Sequence, residues 1–169
     1  MARSMEAVIM RLPRPIIRRL CDRLMHIPAV RAPDVIIGGA ADPYLRRWWV
    51  IPRNRFCNIY LHHFLRSDDD RALHDHPWIN ASILLDGRYV EHTILAGGVN
   101  RRKEYRAGDV KLRGARSAHR VELVDGPCWT LFVTGPRLRE WGFHCPRGWR
   151  PWQQFVDGKD SGSIGRGCD

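Results

Sequence analysis

The sequence predicts an all-β domain, a sandwich or barrel of antiparallel strands, behind a short helical N-terminal extension. From Asp34 onward, short runs rich in β-branched and aromatic residues alternate with turns rich in glycine, proline and aspartate. Strands at such close and regular spacing are typical of sandwiches and barrels. The chain has 169 residues, 44% hydrophobic and 27% charged, which suits one globular domain. No apolar run approaches the length of a membrane span.

The first 33 residues form a segment of their own. Residues 5–12 and 16–26 each carry apolar side chains at helical spacing, and Pro13 and Pro15 separate the two stretches. We expect a basic helical extension over residues 1–33 that packs across a sheet or a dimer partner; a helix lying on a membrane surface is the alternative. Arginines and a proline interrupt the apolar runs, so no signal peptide is formed and we expect a cytoplasmic protein.

The net charge of +10 raises the question of a phosphate-rich partner. Seven arginines and two acidic residues in the first 33 positions supply half of this excess. A nucleic-acid-associated accessory protein that uses this basic N-terminus is therefore one hypothesis. The chain contains only three lysines, however, and such a preference for arginine follows equally from a GC-rich genome. We therefore do not favour nucleic-acid binding as the main role.

Eight runs with strand composition follow, and together they predict a β-barrel domain over residues 34–156. Polar or glycine-containing turns separate them, such as DG after the third run and RAGD before the fifth. The runs are RRWWVI (46–51), FCNIYLHHFL (56–65), INASILL (79–85), RYVEHTIL (88–95), VKLR (110–113), AHRVEL (118–123), CWTLFVTG (128–135) and EWGFHC (140–145). Residues 157–169 offer little to bury, so we expect a disordered tail there.

Two histidines one residue apart precede a proline and a tryptophan. In a strand, residues i and i+2 share a face, so His74 and His76 project together while Asp75 points the other way. Two such imidazoles can bind one metal ion. Pro77 cannot continue a central ladder, so the chain is expected to turn there and bring Asn80 close to the histidines. The alternative is a surface turn that happens to contain histidines.

A bound divalent metal requires at least three protein ligands, and His119 is the best candidate for the third. It opens the strand HRVEL after the glycine-containing turn RGARSA. A side chain at the end of a strand lies where the mouth of a barrel would be. The sequence therefore predicts a metal site formed by His74, His76 and His119.

The spacing of these histidines resembles the two motifs of the cupin family. The first motif, G-x5-H-x-H-x3,4-E-x6-G, has His74, His76 and Gly87 in register, with Asn80 in place of Glu and Asp68 in place of the first Gly. The second, G-x5-P-x-G-x2-H-x3-N, has Gly108 and His119 in register, while Gly114, Arg116 and Leu123 replace Pro, Gly and Asn. More narrowly, IPRNRFCNIYLHHFLRSDDDRALHDHPW and WGFHCPRGW look like small uncharacterised cupin-like proteins of bacteria and phages.

The resemblance covers roughly Arg46 to Trp152 and implies a double-stranded β-helix, the cupin jelly-roll barrel. It also implies one divalent metal ion. With Asn80 in place of a carboxylate, the site is similar to the three-histidine iron cupins, which include thiol and diketone dioxygenases. Fe(II) is then favoured, with Mn, Ni or Zn as alternatives. A small anionic or chelating substrate is expected, and an oxygenase is favoured over an isomerase or a lyase.

The resemblance leaves other functions open. A non-catalytic small-molecule or sugar-binding cupin, in which the metal is structural or absent, is the main alternative. Small cupins often pair their sheets, so a homodimer is a further expectation that the resemblance carries. The fold hosts many activities and cannot by itself supply a substrate.

Several side chains are candidates for lining the pocket or orienting a ligand. His62 and His63 are adjacent, so one of them must face the barrel interior, where it lines the pocket or is simply hydrogen-bonded in the core. Asn80 is a candidate for orienting a bound water or substrate. Arginines near the mouth are candidates for holding a substrate carboxylate with two hydrogen bonds. The full set of candidates is Asn80, His62, His63, Trp78 and Arg116, with Arg66 and Arg71 as further arginines.

The five cysteines are scattered without C-x-x-C spacing. This pattern predicts neither a disulfide framework nor a cysteine zinc site, and we expect reduced thiols. His144 and Cys145 lie in the last predicted strand, where we interpret them as structural or pocket-lining residues. No base is assigned to the thiol, so a nucleophilic role is not predicted.

Overall fold

The computed structural model describes residues 9–68, 72–159 and 165–169. Three α-helices lie within these ranges, α1 (Arg14–Leu24), α2 (His26–Val30) and α3 (Trp152–Phe155), together with a short 3₁₀-helix over Ala96–Gly98. The strands are β1 (Ile9–Arg11), β2 (Val35–Ile37), β3 (Leu45–Trp49), β4 (Asn58–Phe64), β5 (Leu73–His74), β6 (Asn80–Asp86), β7 (Arg88–Ile94), β8 (Asn100–Arg106), β9 (Asp109–Arg113), β10 (Arg120–Leu123), β11 (Cys128–Thr134), β12 (Gly142–Cys145) and β13 (Gly148–Pro151).

The strands form three antiparallel sheets around one interior. The large sheet has the order β1-β9-β6-β11-β4-β3-β2, and two smaller sheets have the orders β10-β7-β8 and β13-β12-β5. An isolated antiparallel bridge between His74 and His119 joins the two smaller sheets. Buried residues of β6, β7, β8, β10 and β11 pack together in the interior. This is the jelly-roll barrel that the sequence resemblance implied, and the predicted fold class is confirmed.

Alternating burial along the strands explains why these residues form a barrel. In β6, the buried side chains of Asn80, Ser82 and Leu84 share one face, as the period of two requires. The turn between β6 and β7 is closed by Gly87, whose φ of 85° favours glycine. A Cβ at this position would lie 2.7 Å from the Cβ of Cys128, so the turn has no room for a side chain.

The N-terminal extension begins differently from the prediction. The helix predicted over 5–12 is wrong for residues 9–11, which pair with β9 at the edge of the large sheet; residues 5–8 lie outside the described part. Arg11 also forms an ion pair with Asp109 at 2.8 Å, so tertiary pairing outweighs the helical pattern. The second predicted helix is present as α1. Its Leu24 packs with Trp48 and Leu61 against the large sheet.

The prediction of reduced thiols is wrong for two of the cysteines. Cys145 and Cys168 form a disulfide across 23 residues of sequence, with their Cα atoms 5.4 Å apart. The spacing of the cysteines gave no sign of this pair, because the fold brings β12 to the end of the chain. Cys21, Cys57 and Cys128 are free, as expected.

The disordered tail predicted over 157–169 is likewise wrong at its end. Gly165 and Gly167 both donate backbone hydrogen bonds to the carbonyl of Phe155, at 3.0 Å each. Arg150 donates a third hydrogen bond, also at 3.0 Å, to the carbonyl of Gly167. Residues 160–164 lie outside the described part of the chain. The last five residues are therefore fixed against the domain by backbone hydrogen bonds and a disulfide.

Among the described residues, no helix combines the length and apolar character that crossing a membrane demands.

Candidate metal centre

Three histidines from two sheets converge at one end of the barrel. His74 ends β5 and lies opposite His119, and each backbone N–H donates to the other residue's carbonyl at 2.9 Å. His76 follows in the turn before β6, and its Nε2 lies 2.9 Å from Nε2 of His119. One nitrogen of each of the three rings lies within 4.8 Å of the others. This spacing is compatible with binding of a single ion, for which each Zn–N or similar bond is about 2 Å long.

Carboxylates lie behind two of the rings, and the one behind His119 is within hydrogen-bond distance. Oε1 of Glu91 lies 2.8 Å from Nδ1 of His119, and Oδ2 of Asp68 lies 3.8 Å from Nδ1 of His74. A carboxylate in this position favours the proton on Nδ1 and leaves the lone pair of Nε2 for a metal. Metal-binding histidines commonly have such a partner behind the ring. The donor set therefore fits a divalent metal.

The electrostatic environment keeps two of these rings neutral. Burial lowers the pKa of both His76 and His119 well below the usual histidine value, and the neighbouring histidines and Arg113 lower it further. Only neutral imidazole can bind a metal, because protonation occupies the lone pair. Both rings are thus in the binding form at neutral pH.

A buried ionic network surrounds Glu91. Its Oε1 contacts the guanidinium of Arg113 and lies 3.4 Å from the ammonium of Lys111. The ammonium also lies 4.5 Å from the ring centroids of both Tyr89 and Tyr105, close enough for cation–π attraction. Glu91, Lys111 and Arg113 are all less than 5% exposed, at 3%, 2% and 4%. One carboxylate thus faces two cations in the interior.

The three histidines line a cavity of about 420 Å³ whose wall carries a further cation. Nε of Arg47 donates to Nε2 of His62 at 2.8 Å, and its guanidinium lies 5.0 Å from the centroid of the Tyr60 ring. Burial, and then the charge of Arg47, lower the pKa of His62 well below its usual value. No carboxylate in the described ranges forms an ion pair with Arg47. Its charge is therefore available to an anionic ligand.

The structure separates the other candidates into interior and outer residues. His62 and Trp78 line the cavity, whereas His63 lies on the outer face and stacks on Trp129, with ring centroids 4.0 Å apart. Asn80 is buried, donates to the carbonyl of Trp78 at 3.3 Å, and has an Oδ1 without a hydrogen-bond partner among the described residues. Arg116 is exposed and does not line the cavity.

Arg66 and Arg71 were the other arginines expected to hold a substrate carboxylate. Arg66 lines the cavity and lies 3.5 Å from the carboxylate of Asp42, while Arg71 is outside the described residues. His144 and Cys145 also lie where the sequence predicted a strand, in β12, and Cys145 is held in the disulfide.

Sequence reasoning missed the interior charges. Lys111 and Arg113 alternate with Val110 and Leu112 along β9, and in such a pattern the apolar side is normally taken as the buried one. In β9 this assumption fails, because Leu112 is 39% exposed while Lys111 is buried. The available signal was the predicted inward position of His119, which shares a face with Val121, the residue that pairs with Glu91 in β7.

Comparisons with known proteins show similarity to solved structures alone. No family model matches the chain, and no curated protein matches it. A variant of oxalate decarboxylase from Bacillus subtilis matches with 22% identity and a TM-score of 0.42, over 53% of this chain and 24% of that chain. A second variant matches with 19% identity and a TM-score of 0.49, over 65% and 30%. A Lactobacillus farciminis oxalate decarboxylase formate complex matches with 18% identity and a TM-score of 0.45, over 58% and 30%.

These similarities are too low to carry a functional argument. The chain spans less than a third of the length of these decarboxylases, as the 24% and 30% coverages state. The assignment to the jelly-roll fold rests instead on the strand order and pairing described above.

Proposed function

We propose that this protein is a cupin-type metal-dependent enzyme that binds one divalent ion and acts on a small anionic substrate. Nε2 of His74, His76 and His119 would hold the ion. The observation that carries the proposal is the convergence of three imidazole nitrogens within 4.8 Å at the wall of a 420 Å³ cavity. A cavity of this volume is in the range of small-molecule sites.

Fe(II) is the metal we favour, with Mn, Ni and Zn as alternatives. Three neutral nitrogen ligands leave coordination positions free, and imidazole suits Fe, Ni and Zn better than Mn, which prefers oxygen ligands. Asn80 takes the place of the carboxylate that the first cupin motif would provide, so the protein adds no negative charge to the ion. When bound, an iron ion would supply Lewis acidity and dioxygen chemistry, and we therefore propose an oxygenase reaction.

The charges of the cavity wall support an anionic substrate. Arg47 has no carboxylate partner in the described part of the chain, and Lys111 and Arg113 share the single carboxylate of Glu91. A guanidinium offers two parallel donors to a carboxylate, which gives both affinity and orientation. The neutral ring of His62 accepts from Nε of Arg47 and so orients the guanidinium.

Metal analysis tests the proposed site directly. The untagged wild type is compared with His76→Ala, His119→Ala and the control His63→Ala, after anaerobic incubation with Fe(II), Mn, Ni or Zn. We expect near-stoichiometric metal in the wild type and in His63→Ala, whose ring lies on the outer face. Both ligand variants should lose the metal. A wild type that binds none of these metals would overturn the proposal.

A paired arginine substitution tests the anionic substrate. Arg47→Met removes one of the cations of the cavity wall, while Arg46→Met removes the exposed arginine next to it in β3. Dioxygen consumption by the iron-loaded protein is measured with a panel of small carboxylates and their neutral amides. We expect turnover of a carboxylate but not of its amide, and loss of that turnover in Arg47→Met alone. Equal turnover in both variants would contradict the assignment.

A non-catalytic sugar or small-molecule binder is the second candidate, and the aromatic wall of the cavity favours it. Trp78, Trp141 and Trp152 all line the cavity, and flat aromatic faces suit sugar rings. In that case the metal would bind without accessible coordination positions. Nitric oxide binding to the iron-loaded protein separates the two functions, because only a centre with an open position gives the nitrosyl spectrum.

A further inference from the structure

The residue between two of the proposed ligands has a carboxylate that the metal site does not use. Asp75 points away from the cavity, as strand alternation requires, yet it is 1% exposed. Its backbone N–H donates to the carbonyl of Gly142 at 3.0 Å, next to the pairing of His74 with Phe143 in β12. A buried carboxylate is costly unless donors surround it. The groups that donate hydrogen bonds to Asp75 therefore help to fix the backbone positions of His74 and His76, which flank it.

Four donors from one C-terminal segment converge on Asp75. Oδ1 accepts from the backbone N–H of Gly142 at 2.9 Å. Oδ2 accepts from Nε1 of Trp149 at 3.0 Å, pairs with Nη1 of Arg139 at 2.6 Å, and lies 3.1 Å from Nε2 of His144. Burial alone would raise the pKa of Asp75, but the hydrogen bonds from His144, Arg139 and Gly142 outweigh it and lower the pKa. The carboxylate is thus fully satisfied and charged.

Arg139 extends this arrangement to the third ligand. The same Nη1 that pairs with Asp75 also donates to the carbonyl of Ala115 at 3.3 Å, in the loop that leads to His119. The guanidinium lies 5.2 Å from the centroid of the Trp149 ring, which limits its movement. One ion pair therefore contacts both chain segments that supply the three histidines.

We propose that Asp75 and Arg139 are positioning residues that hold the three histidines at metal-binding distance. This inference rests on the proposed function, because it assigns a role toward the metal. The pair touches neither metal nor substrate, and it acts through the backbone of the two ligand segments. Comparable partners behind metal ligands typically change metal affinity by about 10–100-fold when they are removed.

Two substitutions test the pair from opposite sides. Asp75→Asn keeps the shape of the side chain but turns an amide NH₂ toward groups that are themselves donors. Arg139→Gln removes the guanidinium from a side chain that is 26% exposed and off the ligand strand, so it keeps the test open if Asp75→Asn does not fold. Arg137→Gln is the matched control, because Arg137 pairs with Glu140 at the surface and does not contact Asp75.

Three measurements separate positioning from a general loss of stability. Zinc affinity is determined by chelator competition, the visible spectrum of the cobalt-loaded protein reports ligand geometry, and urea unfolding of the metal-free protein gives the fraction folded. We expect a drop in zinc affinity of at least about 10-fold and an altered cobalt spectrum in both variants, while the metal-free proteins remain folded. Arg137→Gln should match the wild type in all three measurements.

The outcomes distinguish this inference from the proposed function. If the wild type binds zinc and Arg139→Gln binds it equally well with the same cobalt spectrum, the inference is overturned and the metal site stands. If affinity falls only in proportion to the unfolded fraction, the pair is structural and the inference is also overturned. A wild type that binds neither zinc nor cobalt overturns both proposals.

Discussion

Glu91→Gln is the substitution that most directly perturbs the charged interior. Glu91 is the carboxylate that Lys111, Arg113 and the ring of His119 share. The amide keeps the size of the side chain and one acceptor oxygen. It removes the negative charge, so two buried cations lose their counterion.

The size of the effect follows from the burial of these groups. Removing one partner of a buried ion pair typically costs about 3–5 kcal/mol, because an uncompensated charge stays behind. With Lys111 and Arg113 exposed by only 2% and 4%, little solvent reaches them to reduce this cost. In a domain of 150–250 residues, 1 kcal/mol shifts the melting temperature by about 2–4 °C, so we expect a decrease of about 6–20 °C.

Urea unfolding of the metal-free protein, followed by the fluorescence of its seven tryptophans, measures the loss of about 3–5 kcal/mol in the free energy of unfolding. Thermal unfolding measures the decrease in melting temperature. Glu104→Gln is the control, since Glu104 lies 3.5 Å from Arg88 and both side chains are about half exposed, at 50% and 46%. A pair of that kind contributes at most about 1 kcal/mol. If Glu91→Gln costs no more than this control, the interior charges are solvated and the penalty expected for unpaired buried cations is refuted.

Three further predictions concern the edges of the domain. Burial would raise the pKa of Asp109, but its hydrogen bonds to an arginine of β1 and to a backbone N–H lower it; the resulting stability is present at neutral pH and lost as the pH falls through the lowered pKa. Urea titrations should therefore separate Asp109→Asn from the wild type at pH 7, and the two should converge as the pH falls through the lowered pKa of Asp109. Gly142→Ala would place a Cβ on the carbonyl oxygen of Arg150, so we expect a loss of about 2–3 kcal/mol in thermal or urea unfolding. Opening the Cys145–Cys168 disulfide should cost about 2–4 kcal/mol, and a reductant should destabilise the wild type but not Cys168→Ser.

The strands were predictable from the sequence where alternation was clear. All eight predicted runs overlap a strand of the structure, because each contains β-branched or aromatic residues between turn signals. Other strands of the structure lie outside these runs, and one of them, Asn100–Arg106, has the sequence NRRKEYR, in which Tyr105 is the buried side chain. Such a strand exists because β7 offers it a partner, a fact that no local pattern contains.

The histidines of the candidate site could be found because residue type and spacing are specific for metal binding. The charged residues around them could not, since an inward Lys111 and an outward lysine give the same alternating pattern. Asp75 shows what alternation along a strand can and cannot predict. Alternation predicted correctly that it points away from His74 and His76, but only the C-terminal hairpin shows that this opposite face is also buried.

The pairing of β5 with β12 brings a segment that is synthesised late next to the strand that carries His74. All three histidines leave the ribosome before Gly142, and although His74 bridges to His119, β5 gains its paired strand only when β12 has emerged. Domains fold from the N-terminus as the chain grows, so the barrel wall can form before this end closes. If the proposed metal site is correct, a translation product that stops short of residue 142 carries all three histidines but lacks the strand that pairs with β5, and we expect it to retain metal less well than a chain that contains β12.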